Sequence, residues 1–289
     1  MDWVNRMKNA LDYIENNLTG DICYEEAAKI AYCSTYQFQR MFSYITDVSL
    51  AEYIRRRRLT LAAFEIRQTD AKIIDIALKY GYDSPTAFTR AFQSLHGITP
   101  KLARSKGVSL KAYPRISFQI QIKGAVEMNY RIEEKDRFRV VGIKEKISTV
   151  DDQNFIKVPK LWREVFSSGK CEEIVSLMNK GENSDIYGIC ANYSEKDKAF
   201  DYFIASITDK DVPKDMEELI IPKSTWAIFE CTGPMPDSMK SLLKRIYTEW
   251  FPSSGYEHGN TPELERYPAG DSSLEDYKSE IWIPIIPKK

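Results

Sequence analysis

The sequence has little of what most metal and nucleophile chemistry requires. Two histidines, His96 and His258, occur in 289 residues, and neither has a Cys or His partner at ligand spacing. The five cysteines (Cys23, Cys33, Cys171, Cys190 and Cys231) are odd in number and form no C-x-x-C pair. That pattern counts against a disulfide framework and against a zinc knuckle, and the cysteines read as reduced thiols filling core gaps. No run of about 18 apolar residues exists, so no transmembrane helix is expected. The N-terminus, MDWVNRMKNALDYIENNL, lacks the continuous apolar stretch of a signal peptide, and the chain is expected in the cytoplasm. With no Ser–His or Cys–His arrangement, no enzyme, metal or cofactor is expected, although carboxylate chemistry stays open.

What is present is an ordinary globular composition, 43% hydrophobic and 29% charged, in a length that suits about two domains. The charge is divided unevenly. Residues 1–123 carry 18 Lys and Arg against 12 Asp and Glu, a charge of +6; residues 124–289 carry 23 against 30, or −7. Unequal halves point to different partners. Texture changes at the same place. Up to about Arg104 the apolar residues recur at helical spacing; from Ile116 they alternate, with Ile116, Phe118, Ile120 and Ile122 on one side of an extended segment. Residues 107–123 are expected to hold a linker and a first strand, between a helical domain (1–106) and a mixed one (124–289).

The first hundred residues contain a repeat. A short helix to Ala31 is followed by S-T-Y-Q-F-Q-R-M-F from Ser34; a second, Ile73–Tyr80, is followed by S-P-T-A-F-T-R-A-F from Ser84. The period is 50 residues, from Ser34 to Ser84. Serine is the expected N-cap each time, and Pro85 takes the favoured first helical position. Phe38/Phe42 and Phe88/Phe92 are the buried pairs, with Arg40 and Arg90 in matching exposed slots. Each half is a helix-turn-helix. A helix of about 19 residues joins them; at about 1.5 Å per residue it holds two reading heads roughly 28 Å apart, near the spacing of successive major grooves.

Here the chain resembles the DNA-binding domain of AraC/XylS-type transcription regulators. Ala28–Ala31, Ser34–Phe42, Tyr53–Leu59, Ile73–Gly81, Phe88–Phe92 and Gly97–Pro100 carry the likeness. The resemblance implies double-stranded DNA and RNA polymerase as partners. Arg40 and Arg90 are expected on base edges, where a guanidinium pairs bidentately with guanine. Gln39 reaches adenine or a phosphate, and Tyr36 a thymine methyl or backbone. The second helix offers Pro85, Thr86, Thr89 and Arg90, and is expected to read fewer bases and more shape. The plain alternative is that Gln39 and Thr89 only solvate a surface. Of Arg55–Arg58, at least one is expected to pair with a carboxylate such as Glu65 or Asp75, and one or two to meet phosphate, since consecutive helical residues point about 100° apart.

The second half reads as α+β: strands at Glu127–Glu133, Phe138–Ile147, Ile186–Tyr193, Asp201–Ile207, Glu217–Ile221, Thr225–Thr232 and Glu280–Ile285, with helices at Val158–Ser168 and within Met235–Trp250. The order suggests a duplicated strand-helix-strand-strand module. Val141-Gly142, Tyr187-Gly188-Ile189, Trp226–Phe229, Leu264–Tyr267 and Glu280–Ile285 resemble the GyrI-like effector-binding domain. That resemblance implies an aromatic-walled pocket with a carboxylate at its base, suited to a small lipophilic cation. Tyr187, Tyr193, Trp226, Glu265, Tyr267, Glu280 and Trp282 are its expected lining, with Glu280 favoured over Glu265 as the carboxylate. Core packing of Trp226 and Trp282, and a surface ion pair at Glu265, is the plain alternative. The whole reads as a transcription regulator under control of a small ligand; the alternatives are a second domain that binds a protein or nothing, or a GyrI-like hydrolase.

Overall fold

A computed structural model describes residues 3–118, 127–150, 153–178 and 185–288. The chain divides into two compact units, Met1–Gln121 and Ile122–Lys289.

The first unit is helical: α1 (Trp3–Asn16), α2 (Tyr24–Ala31), α3 (Thr35–Thr46), α4 (Leu50–Gln68), α5 (Ile73–Lys79), α6 (Pro85–His96) and α7 (Pro100–Ala103). Serine starts α3 and α6 alike. The Ser34 hydroxyl accepts from the Gln37 N–H, while the Gln37 side chain accepts from the Ser34 N–H, a closed capping box. The Ser84 hydroxyl accepts from the Ala87 N–H, with Pro85 in the first turn. The two phenylalanine pairs are fully buried, Phe38 on Phe42 and Phe88 on Phe92. In the second turn Gly81 has φ +77°, and a Cβ there would sit 2.5 Å from the Arg58 guanidinium. The positive φ is what calls for glycine here, since the Arg58 side chain could shift aside.

The segment after α7 differs from expectation. Ile116 and Phe118 form no strand, and Ile120 and Ile122 lie outside the described residues. Side chains of α4 hold the segment instead: Arg67 donates to the Val108 carbonyl, Thr60 Oγ1 accepts from the Tyr113 N–H, and the Tyr53 hydroxyl accepts from the Ile116 N–H. With its backbone groups engaged by a helix, the segment has no strand to pair with.

The second unit holds β1 (Tyr130–Lys135), β2 (Phe138–Ser148), α8 (Gln153–Ser167), α9 (Lys170–Ser176), β3 (Ile186–Ser194), β4 (Ala199–Ile207), β5 (Glu217–Ile221), β6 (Ser224–Thr232), α10 (Asp237–Arg245), a π-helical turn (Ile246–Trp250), β7 (Tyr256–His258), β8 (Glu263–Tyr267) and β9 (Lys278–Pro287). The strands run antiparallel in the order β1-β6-β9-β8-β3-β4-β2-β5, and β7 pairs with the end of β9. The duplication is plain in this order. β2, α8–α9, β3 and β4 make one strand-helix-strand-strand module; β6, α10, β8 and β9 make the other; β3 and β8 join them. The strand preceding each module adds to the far one, β1 beside β6 and β5 beside β2.

One sheet face buries Val140, Ile221, Trp226, Ile228, Tyr187, Leu264 and Trp282 in a single cluster. Val140 and Ile221 come from one end of the strand order and Trp226 and Ile228 from the other. Tyr187, Leu264 and Trp282 on the strands between them make this one continuous core along the face. The helices lie on the opposite face, where the Ser206 hydroxyl donates to the Ile174 carbonyl of α9. No described helix is long and apolar enough to cross a membrane. Cys171 and Cys231 fill the core as expected, and burial pushes the Cys171 thiol up to about 11, but Cys23 is exposed and Cys33 and Cys190 are only half-buried.

Candidate nucleic-acid interface and effector site

The matching arginine slots are not equivalent. Arg90, midway along α6, is exposed, as are Pro85 and Thr86 in its first turn, while Thr89 is half-buried. Arg40 is 7% exposed. Its Nε donates to the Tyr44 hydroxyl at 3.1 Å, and its guanidinium lies 5.9 Å from the Tyr36 ring and 5.5 Å from the Tyr44 ring. The cause is local. One helical turn to either side, Arg40 meets Tyr36 and Tyr44, where Arg90 meets Thr86 and Ser94. Tyr36 is thus packed beside Arg40 rather than extended toward a base, and Gln39 is half-buried.

The arginine run of α4 is bound within the fold. Arg55 and Arg56 both pair with Glu52, at 2.6 Å each. Arg57 grips Glu15 with two nitrogens at 2.9 Å, and Arg58 donates to the Leu18 and Gly20 carbonyls. The expected partners Glu65 and Asp75 are not used: Glu65 pairs with Lys79 at 2.8 Å. The four side chains leave α4 in different directions and meet whichever acceptor lies there.

In the second unit the expected lining separates onto two faces. Tyr187, Trp226 and Trp282 meet in the enclosed cluster, with edge contacts at 5.9 and 6.1 Å, and Trp226 is 0% exposed. They are core. Glu280 shares that face and is committed there: Arg131 Nη1 stands 2.9 Å and Arg266 Nη1 3.0 Å from its carboxylate, and the Trp282 N–H donates at 2.8 Å. Burial pushes the Glu280 carboxyl up, but the hydrogen bonds from Arg131, Trp282 and Arg266 outweigh it and hold it below the usual range. Two guanidiniums already answer its charge, so the preference for Glu280 as a ligand's counter-ion is not met. Tyr193 lies where the β3 register shifts, between Ala191 and Ser194, with Asn192 at φ +52°. Its six-residue spacing from Tyr187 no longer fixes a shared face.

Glu265 stands opposite Gly188 on the helix-covered face. The Tyr267 hydroxyl donates to its Oε2 at 3.1 Å. Trp162 of α8 lies edge-on to Tyr267 at 5.2 Å, donates to the Tyr202 hydroxyl at 2.9 Å and stacks on Phe166 at 5.6 Å. A Cβ on Gly188 would lie 2.5 Å from the Tyr202 hydroxyl and 3.3 Å from both Glu265 and Trp162. The bare glycine makes room for these three groups to converge. Trp162, Phe166, Tyr202 and Gly188 were absent from the expected lining. The Trp162/Phe166 spacing of four on a helix was the available signal; nothing in the sequence joins them to residue 265.

The family described as integron-associated effector binding protein (Cass2) matches residues 131–285, more than half of the chain. A helix-turn-helix domain family matches residues 27–106. The chain belongs to the AraC family of transcription regulators, with an effector-binding domain of the integron-associated type. The TetD protein of transposon Tn10 from Escherichia coli is 44% identical over 98 residues, 34% of this chain and 71% of that one. The transcriptional activator AarP of Providencia stuartii is 42% identical over 94 residues, 32% of this chain and 70% of that one. A structure described as a putative bacterial transcription regulation protein from Staphylococcus aureus MU50 covers 55% of this chain and 99% of its own, at 23% identity and a TM-score of 0.49. This AraC-family regulator binds DNA through the helix-turn-helix domain of the first unit.

Proposed function

We propose that the second unit binds a small apolar cation above Gly188, and that occupancy alters how the first unit engages DNA and RNA polymerase in the cytoplasm. The observation that carries this reading is the convergence of a carboxylate, Glu265, with the rings of Trp162, Tyr202 and Tyr267 beneath α8. Aromatic faces attract a cation by about 0.5–2 kcal/mol in a dry site, and a carboxylate among them rewards a ligand that brings positive charge. Phe166, 61% exposed and stacked on Trp162, extends the aromatic surface outward. Arg90, Thr86 and Pro85 read the second groove, while Arg40, Tyr36, Gln39 and Thr89 adjust the fit of the heads.

Isothermal titration with tetraphenylphosphonium, and with neutral triphenylphosphine oxide beside it, tests the reading. The wild type should bind the cation at least tenfold more tightly, and Glu265→Gln should remove that preference while leaving the neutral compound unaffected. If Glu265→Gln binds the cation as the wild type does, the assignment fails. If the wild type binds neither compound, a protein partner becomes the better reading of this unit.

A further inference from the structure

Residues 107–118 run antiparallel to α4 along most of its length. Arg67, near the C-terminal end of α4, holds Val108; Thr60 and Arg57, in its middle, hold the N–H and carbonyl of Tyr113 at 3.0 and 2.7 Å; Tyr53, near its start, holds Ile116 at 3.3 Å. From Tyr53 to Arg67 a helix rises about 21 Å. From Val108 to Ile116 an extended chain spans at most about 28 Å. The strap is thus long enough to lie alongside the helix with little slack.

Its contacts reach both helix-turn-helix halves. Leu110 and Tyr113 pack on the core of the second half, which is built from Leu59, Ile66, Ile76, Phe88 and Phe92. On the other side, Arg115 pairs with Asp12 of α1. The anchor at Tyr113 is shared with the buried Glu15–Arg57 pair, and the Tyr53 hydroxyl donates to Glu15 at 2.6 Å while accepting from Ile116. Thr60, whose hydroxyl takes the Tyr113 N–H, is itself buried. Without the strap, the two halves are joined chiefly through α4.

We propose that residues 107–118 are a splint of the DNA-binding unit: by tying α1 to the core of the second half, they fix the relative placement of α3 and α6 and so set the affinity for a two-groove site. Two heads held at the right spacing bind as one preorganised unit; two loosely joined heads gain from each other only through effective concentration. Thr60, Tyr113 and Arg115 are accordingly positioning residues.

The test uses the full chain, a duplex selected by the wild type from a randomised library, and two derivatives of that duplex with one half or the other scrambled. Thr60→Val combined with Arg115→Ala removes two anchors and leaves both reading helices untouched. It should weaken binding to the intact duplex at least tenfold and change binding to either half-scrambled duplex less than twofold. Thr60→Ser, which keeps the hydroxyl, should bind all three as the wild type does. Arg115→Ala alone removes only a surface pair and should show the same selective loss in smaller measure. The splint is refuted if the double variant binds the intact duplex at wild-type affinity. Equal losses on all three duplexes, or loss by Thr60→Ser, refute it as well, because they describe general damage to the fold.

Discussion

Arg40 and Arg90 stand at the same place in two repeats, and their flanks set them apart. An arginine between two tyrosines stacks on them; one between Thr86 and Ser94 reaches into solvent. Arg90→Ala should therefore cost about 1–3 kcal/mol of specific binding and relax preference at one base pair. Arg40→Ala should cost less at the bases and more in the stability of α3. Mobility-shift titrations with single-base-pair variants would decide the order, and a larger specificity loss at Arg40 would reverse it. The same contrast separates Glu280 from Glu265. Glu280→Gln removes the carboxylate that Arg131 and Arg266 share, leaving them to Glu133 and Asp185, and should lower the stability of the second unit by about 1–2 kcal/mol in denaturant unfolding, less than for a fully enclosed pair. Because the folded carboxyl is held below its ordinary value, its contribution is present above about pH 4.3 and is lost as pH falls through the depressed value. Glu280→Gln should accordingly flatten the acid limb of the stability profile below about pH 5; an unchanged limb would mean that other carboxylates govern it. Residue types alone could not rank these two glutamates. Both sit in strands beside aromatics, and only the cross-strand register brings Arg131 and Arg266 to one of them.

At the scale of elements, the helix-turn-helix repeat was legible because its signals are local. N-cap serines, a first-turn proline, the turn glycine and phenylalanines four apart all act within a few residues. The Ser34 box closes as those residues imply, and Ser34→Ala should cost about 1 kcal/mol in thermal or denaturant unfolding of the first unit. The pieces that escaped reading are short: α9 has seven residues, β7 three and β8 five, too few for a period to show. β9 was read, at Glu280–Ile285, but it is buried along most of its length and lacks the alternation that would mark its full extent, Lys278–Pro287. The extended pattern at Ile116 misled because its partner is a helix, and alternation alone does not say what holds an extended segment. Gly188 is the element-level key to the proposed cation site. Gly188→Ala would drive a methyl toward the Tyr202 hydroxyl, part the Trp162–Tyr202 hydrogen bond and cost about 1–3 kcal/mol. Cation binding should fall before folding does, seen as loss of ligand-induced tryptophan fluorescence change in a protein that still unfolds cooperatively; undiminished binding would mean that the ligand sits elsewhere.

For the whole molecule, the division of charge was the broadest signal in the sequence, +6 before residue 124 and −7 after it, yet formal charge overstates what faces DNA. Arg55, Arg56 and Arg57 are paired with Glu52 and Glu15, and Arg58 with main-chain carbonyls, so the densest basic run contributes few contacts to phosphate. Exposed cations stand on both halves of the first unit, Lys8 and Lys29 in the first and Lys72, Arg90, Lys101, Arg104 and Lys106 in and after the second. Each phosphate neutralised contributes about −0.9 to the slope of log affinity against log salt. About four to five such contacts predict a slope near −4. Lys101→Ala and Lys106→Ala should each make that slope shallower by about 1, while an Arg55→Ala substitution should leave it nearly unchanged. The acidic second unit has no part in this account, so residues 1–118, splint included, should give the same slope as the full chain. Fluorescence anisotropy across a range of potassium chloride concentrations measures both. A shallower slope for 1–118 would mean that cations of the second unit reach the DNA despite its net negative charge, and the division of labour between the units would have to be redrawn.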